Sequence, residues 1–345
     1  MGATIQDIAQ KADVSLATVS RVINNYPYIS NKTKQKVEAA IKEMNYVPSA
    51  YARSLSSQNS NIIGVVVPEI SNPFFGGVIK GITQIADREN YNIILCNTNE
   101  DLVTERNSLR MLQEYRIKGL IITPVTGREE YDKKYVEMFR NLNAELVLVD
   151  RDIKHGNFSG VYFDDTTALF ELTSLLIKNG HRDIAIIAGD PHHTVTKRRV
   201  EGYTNAFKAN GLEYDPRNIF ACSFTIEDAY KVTKQILDGG KMPTAFIGNT
   251  NMLSMGCLKA LSEYRLDIPG DVAFVGYDAL EMHEILNLNF TLAEKDVELL
   301  GRKAMSLLLE GFEQRPSEAK QIILSAKMVV RGSEKYPDRE VRIEK

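Results

Sequence analysis

Two sets of residues have types and spacing that could do chemistry. The first lies in Leu16 to Asn24. At helical spacing, one side of this stretch carries Leu16, Ala17, Thr18, Ser20 and Arg21. These are small, hydroxylic or cationic groups of the kind a helix lying in a DNA major groove needs, with Arg21 suited to guanine. The second set recurs at the ends of apolar runs of strand length: Ser71-Asn72-Pro73-Phe74-Phe75, Asn97-Thr98-Asn99-Glu100-Asp101, Asp150-Arg151, Phe224, Gly248-Asn249 and Gly276-Tyr277-Asp278. It offers carboxylates and amides for hydroxyls, an arginine, and aromatics to cover an apolar ring face. That inventory suits binding a sugar-like molecule. Nothing in it suggests turnover, because the chain has no glycine-rich phosphate loop, nucleophile elbow or metal-ligand set. His192-His193 stand without a nearby cysteine or third histidine, and adjacent side chains point apart. They read as a surface loop, and neither a metal nor a cofactor is expected.

The elements that must position these groups differ along the chain. Thr4 can cap a first helix, with Asp7 three residues on as a capping-box acid. Ile5, Ile8, Ala9 and Ala12 give that helix an apolar face. Asp13-Val14-Ser15 breaks the pattern, with Val14 plugging the angle and Ser15 capping the second helix. Val19, Val22 and Ile23 of that helix face inward. A third helix fits Asn31 to Met44, capped by Ser30 or Asn31, with Val37, Ala40, Ile41 and Met44 closing a small core. Its Lys32, Lys34 and Lys36 suit either phosphates or solvent. Pro48 ends it. Ser49 to Ser57 could make one or two helical turns but is too short to be stable alone, and a serine- and asparagine-rich linker follows.

From Ile62 the texture becomes alternating. Strands are expected at Ile62–Pro68, Asn92–Asn97, Gly119–Thr123, Glu145–Asp150, Ile184–Ala188, Ile219–Phe224, Ala245–Ile247 and Val272–Tyr277. Helices are expected at Phe75–Glu89, Thr104–Tyr115, Thr166–Asn179, Arg199–Asn210, Ile226–Asp238 and Asn251–Tyr264. Such alternation implies parallel sheets covered on both faces, with ligands beyond the carboxyl ends of the strands. The expected fold class is therefore α/β with an all-α head. The two halves of the body are similar only in texture.

The 345 residues allow two or three domains, with ordinary hydrophobic (43%) and charged (25%) content for a soluble globular protein. No apolar run suits a membrane span or signal peptide. Cys96, Cys222 and Cys257 are scattered and odd in number, which suits reduced core residues in the cytoplasm. Residues 1–58 hold seven Lys/Arg against four Asp/Glu, so the head is +3; the total of −3 leaves −6 for the body. A basic head on an acidic body fits a DNA-binding module joined to a domain that does not bind DNA.

T-I-x-D-I-A-x-x-A-x-V-S-x-x-T-V-S-R-V-x-N, from Thr4, resembles the helix-turn-helix of the lactose-repressor (LacI/GalR) family of bacterial transcription regulators. V-P-x-I-S-N-P-F-F, K-G-L-I-I, V-D-R, N-G-H-R-x-I-A, R-R-x-E-G-Y, F-x-G-N and V-x-F-V-G-Y-D extend the resemblance to about Gly332. It implies a helix-turn-helix domain over 1–47, a hinge helix and linker over 48–61, and an effector-binding and dimerisation core over 62–332 like type I periplasmic sugar-binding proteins. The N-subdomain would be 62–163 plus 293–321 and the C-subdomain 164–290 plus 322–332, crossing near Phe163–Asp164, Phe290–Ala293 and Gln321–Leu324. The tail from Ser333 is charged, reads as disordered and lacks a leucine heptad.

The expected DNA contacts are Thr4, Ser15, Leu16, Ala17, Thr18, Ser20, Arg21 and Asn24, with Ala52, Arg53 and Leu55 from the hinge. By the resemblance, Leu55 would wedge into the minor groove where two hinges fold together on the operator. Effector contacts carry over to Phe74, Phe75, Asp150, Arg151, Arg199, Phe224, Asn249 and Asp278, with His193 and Thr194 tuning specificity. The expected partners are double-stranded operator DNA, a small effector and a second copy of the chain. Its dimer face would use Phe75–Ile85 and the helix near Leu258–Leu261.

Three stretches depart from the family pattern. Gly248-Asn249-Thr250-Asn251 lacks the usual acid after the asparagine. Asp190 to Thr196 is idiosyncratic. Phe290-Thr291-Leu292-Ala293-Glu294-Lys295-Asp296 replaces L-T-T-V-x-Q-P/D. The function expected is a repressor released from a pseudo-palindromic operator by a sugar. Asp150-Arg151 and the acid-rich cleft favour a neutral sugar over a nucleobase. A corepressor-dependent regulator is the alternative, and docking of a phosphorylated carrier protein is a further variant. A sugar-processing enzyme or a free solute-binding protein would leave the basic head unexplained.

Overall fold

A computed structural model describes residues 3–23, 26–46, 60–125, 129–153, 156–240, 242–278, 289–313 and 318–337. The chain divides into two units, Met1–Asn61 and Ile62–Lys345. The expectations for Asn24, Ala52, Arg53 and Leu55 lie outside the described residues.

In the first unit, α1 (Ile5–Ala12), α2 (Leu16–Ile23) and α3 (Asn31–Glu43) enclose one small core of Ile8, Ala9, Ala12, Val19, Val22, Val37 and Ala40. Val14, Ile41 and Met44 pack on its edge. The capping box forms: Asp7 N–H donates to Thr4 Oγ1 (3.3 Å) and Thr4 N–H to Asp7 Oδ2 (2.7 Å). Asp13 ends α1 in the left-handed conformation (φ 53°), which turns the chain sharply into α2. Thr18 N–H donates to Ser15 Oγ (3.2 Å) and Thr33 N–H to Ser30 Oγ (3.3 Å), so Ser15 and Ser30 serve the next two helix starts. Lys11 pairs with Glu43 at 2.7 Å and fastens α1 to α3.

The second unit holds two six-stranded sheets. Sheet one is β1 (Ile62–Val67), β2 (Asn92–Asn97), β3 (Gly119–Ile122), β4 (Glu145–Val149), β5 (Ser159–Phe163) and β11 (Gln321–Leu324), in the order β11-β5-β4-β3-β1-β2 and wholly parallel. Sheet two is β6 (Ile184–Ile187), β7 (Ile219–Phe220), β8 (Ala245–Gly248), β9 (Ala273–Tyr277), β10 (Thr291–Glu294) and β12 (Lys327–Val329), in the order β12-β10-β9-β8-β6-β7. Only β12 runs antiparallel among these pairings. The helices are α4 (Pro73–Arg88), α5 (Leu102–Glu114), α6 (Glu129–Asn141), α7 (Asp165–Lys178), α8 (Thr194–Ala209), α9 (Ile226–Asp238), α10 (Asn251–Glu263) and α11 (Val297–Glu313). Each sheet carries apolar clusters on both faces, because its central strands are apolar without alternation. The halves share more than texture. Both repeat the doubly wound order 2-1-3-4-5, whose ligand crevice lies where strand order reverses.

Several boundaries differ from expectation. The chain passes between sheets after Phe163, after Glu294 and after Leu324. The second and third passages therefore fall a little beyond the expected positions, since β10 still pairs with β9 and β11 still pairs with β5. The tail does not become loose at Ser333. Ser333 and Glu334 are buried, Ser333 Oγ donates to the Phe274 carbonyl (2.6 Å), and Thr291 hydroxyl donates to Glu334. His181 Nε2 meets the Glu334 carbonyl (3.1 Å), and Tyr336 lies over the His181 ring. The apolar residues expected at a dimer face are largely core: Phe75, Val78, Ile82 and Leu261 are buried within their own unit.

Candidate functional site

The exposed side of α2 presents Leu16 (46% exposed), Ala17 and Arg21, with Thr18 and Ser20 half-buried beside them. The buried Val19 and Val22 hold this helix against α1 and α3, so the outward groups stand on a rigid face. Thr4 and Ser15 double as cap residues at the helix starts. Arg21 lies over the exposed Tyr26 ring, 5.8 Å from its centre, and Tyr28 packs edge-on against Tyr26. This aromatic support was not foreseen from sequence.

In the second unit, one cavity of about 320 Å³ opens at the carboxyl ends of both sheets. Its wall includes Phe74, Phe75, Asp150, Arg151, His193, Arg199, Phe224 and Asp278. Asn249 and Thr194 are not on the wall. Asn249 is fully buried, donates to the Ala188 carbonyl (2.7 Å), and through its own carbonyl accepts from Arg199 Nη1 (3.1 Å). It positions the arginine from behind. Thr194 begins α8. Further wall residues include Asn72, Glu100, Asn251, Tyr277 and Lys295, and the acids Glu69 and Asp190.

Local geometry explains this convergence. Asn72 caps α4 by accepting from Phe74 N–H (3.0 Å), Pro73 suits the first helical turn, and Phe74 and Phe75 meet edge-to-face at 5.1 Å. Asp150 after β4 and Asp278 after β9 both adopt left-handed backbone (φ 64° and 77°) at equivalent places in the two halves. Such strain in non-glycine residues clusters at binding sites. Gly189 (φ 87°) leaves the space into which Phe224 closes; a Cβ there would sit 2.5 Å from the ring.

Arg151 is buried and forked onto Glu100 by two bonds of 2.8 and 2.7 Å. Burial alone would raise the Glu100 pKa, but Arg151 outweighs it and holds the carboxyl below its ordinary value. His193 is nine-tenths buried, and its Nδ1 has no hydrogen-bond partner among the described residues. Burial, helped by Arg151, depresses its pKa to about 4, so the ring is neutral near pH 7. At the inner end, Asp165 sits 3.3 Å from Arg199 Nε and 3.5 Å from Lys295 Nζ, and it accepts from the Tyr277 hydroxyl. Burial opposes ionisation of Asp165, but Arg199 and then Lys295 outweigh it and lower its pKa. Contacts that bridge the halves include Asn251 Nδ2 to Asn72 Oδ1 (3.0 Å), Arg198 to Asp152 (2.7 Å) and Arg151 over the Phe224 ring (6.0 Å to its centre).

Among the described residues no group of His, Cys, Asp or Glu could hold a metal ion, and no helix is long and apolar enough to cross a membrane. Cys222 and Cys257 are pushed by burial to about 11 and about 12, so both stay as thiols.

A helix-turn-helix unit followed by a two-sheet core with a crevice between its halves is the anatomy of a ligand-responsive DNA-binding regulator. Residues 60–329 match the family model described as "Periplasmic binding proteins and sugar binding domain of LacI family", and residues 4–49 match "Bacterial regulatory proteins, lacI family". The chain therefore belongs to the LacI family and is a DNA-binding transcription regulator, not an enzyme. It is 32% identical to the transcriptional repressor PurR of Pasteurella multocida (strain Pm70), covering 96% of this chain and 99% of the relative. It is also 32% identical to the ribose operon repressor of Halalkalibacterium halodurans, covering 96% and 97%. A Lac repressor dimer bound to operator and the anti-inducer ONPF shares the fold (TM-score 0.83, 24% identity, 97% and 100% covered).

Proposed function

We propose that this regulator is a repressor that leaves a pseudo-palindromic operator when a monosaccharide-sized, polyhydroxylated effector fills the cavity and closes the two halves on it. The observation that carries this reading is the wall itself. Phe74, Phe75 and Phe224 offer apolar faces, while Asp150, Asp278, Arg151 and Arg199 offer acceptors and donors for ring hydroxyls. The volume lies at the low end for small-molecule sites. Asn249 holds Arg199, and Thr194 sets the start of the helix that carries it. The head over 1–47 reads DNA through Thr4, Ser15, Leu16, Ala17, Thr18, Ser20, Arg21 and Asn24. Ala52, Arg53 and Leu55 of the 48–61 hinge complete the contact.

The repressor works as a homodimer in the cytoplasm, where the chromosome is. The edge of β2, unpaired among the described residues, with exposed Leu95 and the neighbouring exposed Ile70 and Val103, supports a self-association face. Closure of the cleft shifts the halves at that face and changes hinge spacing.

Fluorescence anisotropy of the full chain on a palindromic operator, at fixed salt, tests this. Release by a monosaccharide that also binds in calorimetry supports it. A sugar that binds without changing operator affinity, or tightens it, overturns the inducer reading.

A further inference from the structure

Lys295 belongs to the stretch that departs from the family pattern, and the proposed function gives it no part in effector binding. Its side chain is 2% exposed, yet it reaches the cavity wall where the chain passes from β10 to α11. Three rings surround the ammonium: Tyr277 at 4.3 Å, Phe163 at 5.0 Å and Phe74 at 5.2 Å from their centres. Among the described residues its anionic partner is Asp165, at 3.5 Å. That carboxylate is already shared with Arg199 at 3.3 Å and accepts from Tyr277. Arg199 is itself under-served: its Nε has no aligned hydrogen-bond acceptor among the described residues.

Two buried cations thus divide one carboxylate at the inner end of a ligand cavity. An ammonium has three donors and a guanidinium five, and both bind best to ionised acceptors. We propose that this end is a carboxylate subsite, and that the effector is a sugar acid whose carboxylate lies between Lys295 and Arg199. The inference rests on the sugar reading above and narrows it. Asp150 and Asp278 face the same cavity and Glu100 is closed onto Arg151, so the rest of the wall serves hydroxyls and repels a second negative charge. A singly charged carboxylate fits this balance better than a doubly charged phosphate.

Calorimetry on the full chain tests this with glucuronate, galacturonate, gluconate and galactonate against glucose, galactose and glucose 6-phosphate. At least one sugar acid should bind about tenfold or more tighter than its neutral parent, as expected of a charge-assisted contact. K295M should lose most of that preference and K295R should keep most of it. Equal or tighter binding of the neutral parent overturns the carboxylate subsite and leaves the sugar reading standing. Tighter binding of glucose 6-phosphate than of every sugar acid overturns the carboxylate assignment. Undiminished preference in a folded K295M removes Lys295 from the subsite. If K295M fails to fold, the wild-type comparison alone decides. No binding by any sugar in the panel overturns both readings.

Discussion

Replacing Asp165 by asparagine keeps the shape of the inner cluster and removes the carboxylate that pairs with both of its cations. At 3.3 and 3.5 Å, each cation is attracted to Asp165 by about 5 kcal/mol at an effective dielectric of about 20. Desolvation offsets part of this, and breaking a buried ion pair from one side costs about 3–5 kcal/mol. The D165N core should therefore lose about that much stability at pH 7, a fall of roughly 5–15 °C in its melting midpoint. The chain has no tryptophan, so circular dichroism on the full protein is the suitable assay. D165N combined with K295M removes one stranded cation and should regain about half the loss, a coupling that a merely bulky defect would not show. The Asp165 carboxyl is held below its ordinary 3.8, so its stabilisation is present well above that pH and is lost as acid protonates it. A D165N melting midpoint within about 2 °C of wild type, about 1 kcal/mol, would refute the claim that the three charges form a buried, mutually dependent unit.

Other expectations are separable from this one. His193 is depressed from 6.5 to about 4, so the unfolded chain takes up its proton first and folded stability should fall between those values on acidification, by up to about 3 kcal/mol; H193Q should flatten that part of a stability–pH curve. Ile8 is fully buried in a small core with seven buried members among the described residues, and I8A should cost the head about 2–5 kcal/mol; operator binding should fail while the core's melting transition stays in place. N251A removes the bond to Asn72 across the cleft, worth about 0.5–1.5 kcal/mol, and should weaken effector binding by several-fold in calorimetry. R21Q should abolish preference for the operator over random DNA, read as a ratio of anisotropy affinities at one salt concentration.

Local signals were legible where the controlling contacts are local. The Thr4–Asp7 capping box, the inward set Val19, Val22, Val37 and Ala40, and the helix Ile226–Asp238 all follow from spacing within one or two turns. Strand ends gave Asn72, Phe74, Phe75, Glu100, Asp150, Arg151, Tyr277 and Asp278 of the cavity wall, because they must face the crevice in a doubly wound sheet, whereas Arg199 came from the family resemblance. Asp165 and Lys295 were illegible as a pair, since they meet only through folding of distant segments; the lysine's departure from the family pattern was the one available clue. Strands β5, β10, β11 and β12 were missed: β10, β11 and β12 are short and lie beside charge, and β5 completes its pairing with β11, which is distant in the chain. The tail misled for a related reason. Charged Ser333-Glu334-Lys335 looks like a loose end, but its polar groups find partners on Phe274, Thr291 and His181. Asn249 looked like a contact and is instead a support, because the carbonyl end of β8 turns its amide onto Ala188.

The coupling between cavity and DNA can be measured from both sides on the full chain. Operator affinity would be determined with and without saturating effector, and effector affinity with and without saturating operator. Linkage requires the two ratios to be equal, and a working inducible repressor should show about 5- to 150-fold weakening in each. An effector that occupies the cavity while both ratios stay at one would contradict the claim that filling this cleft controls the head.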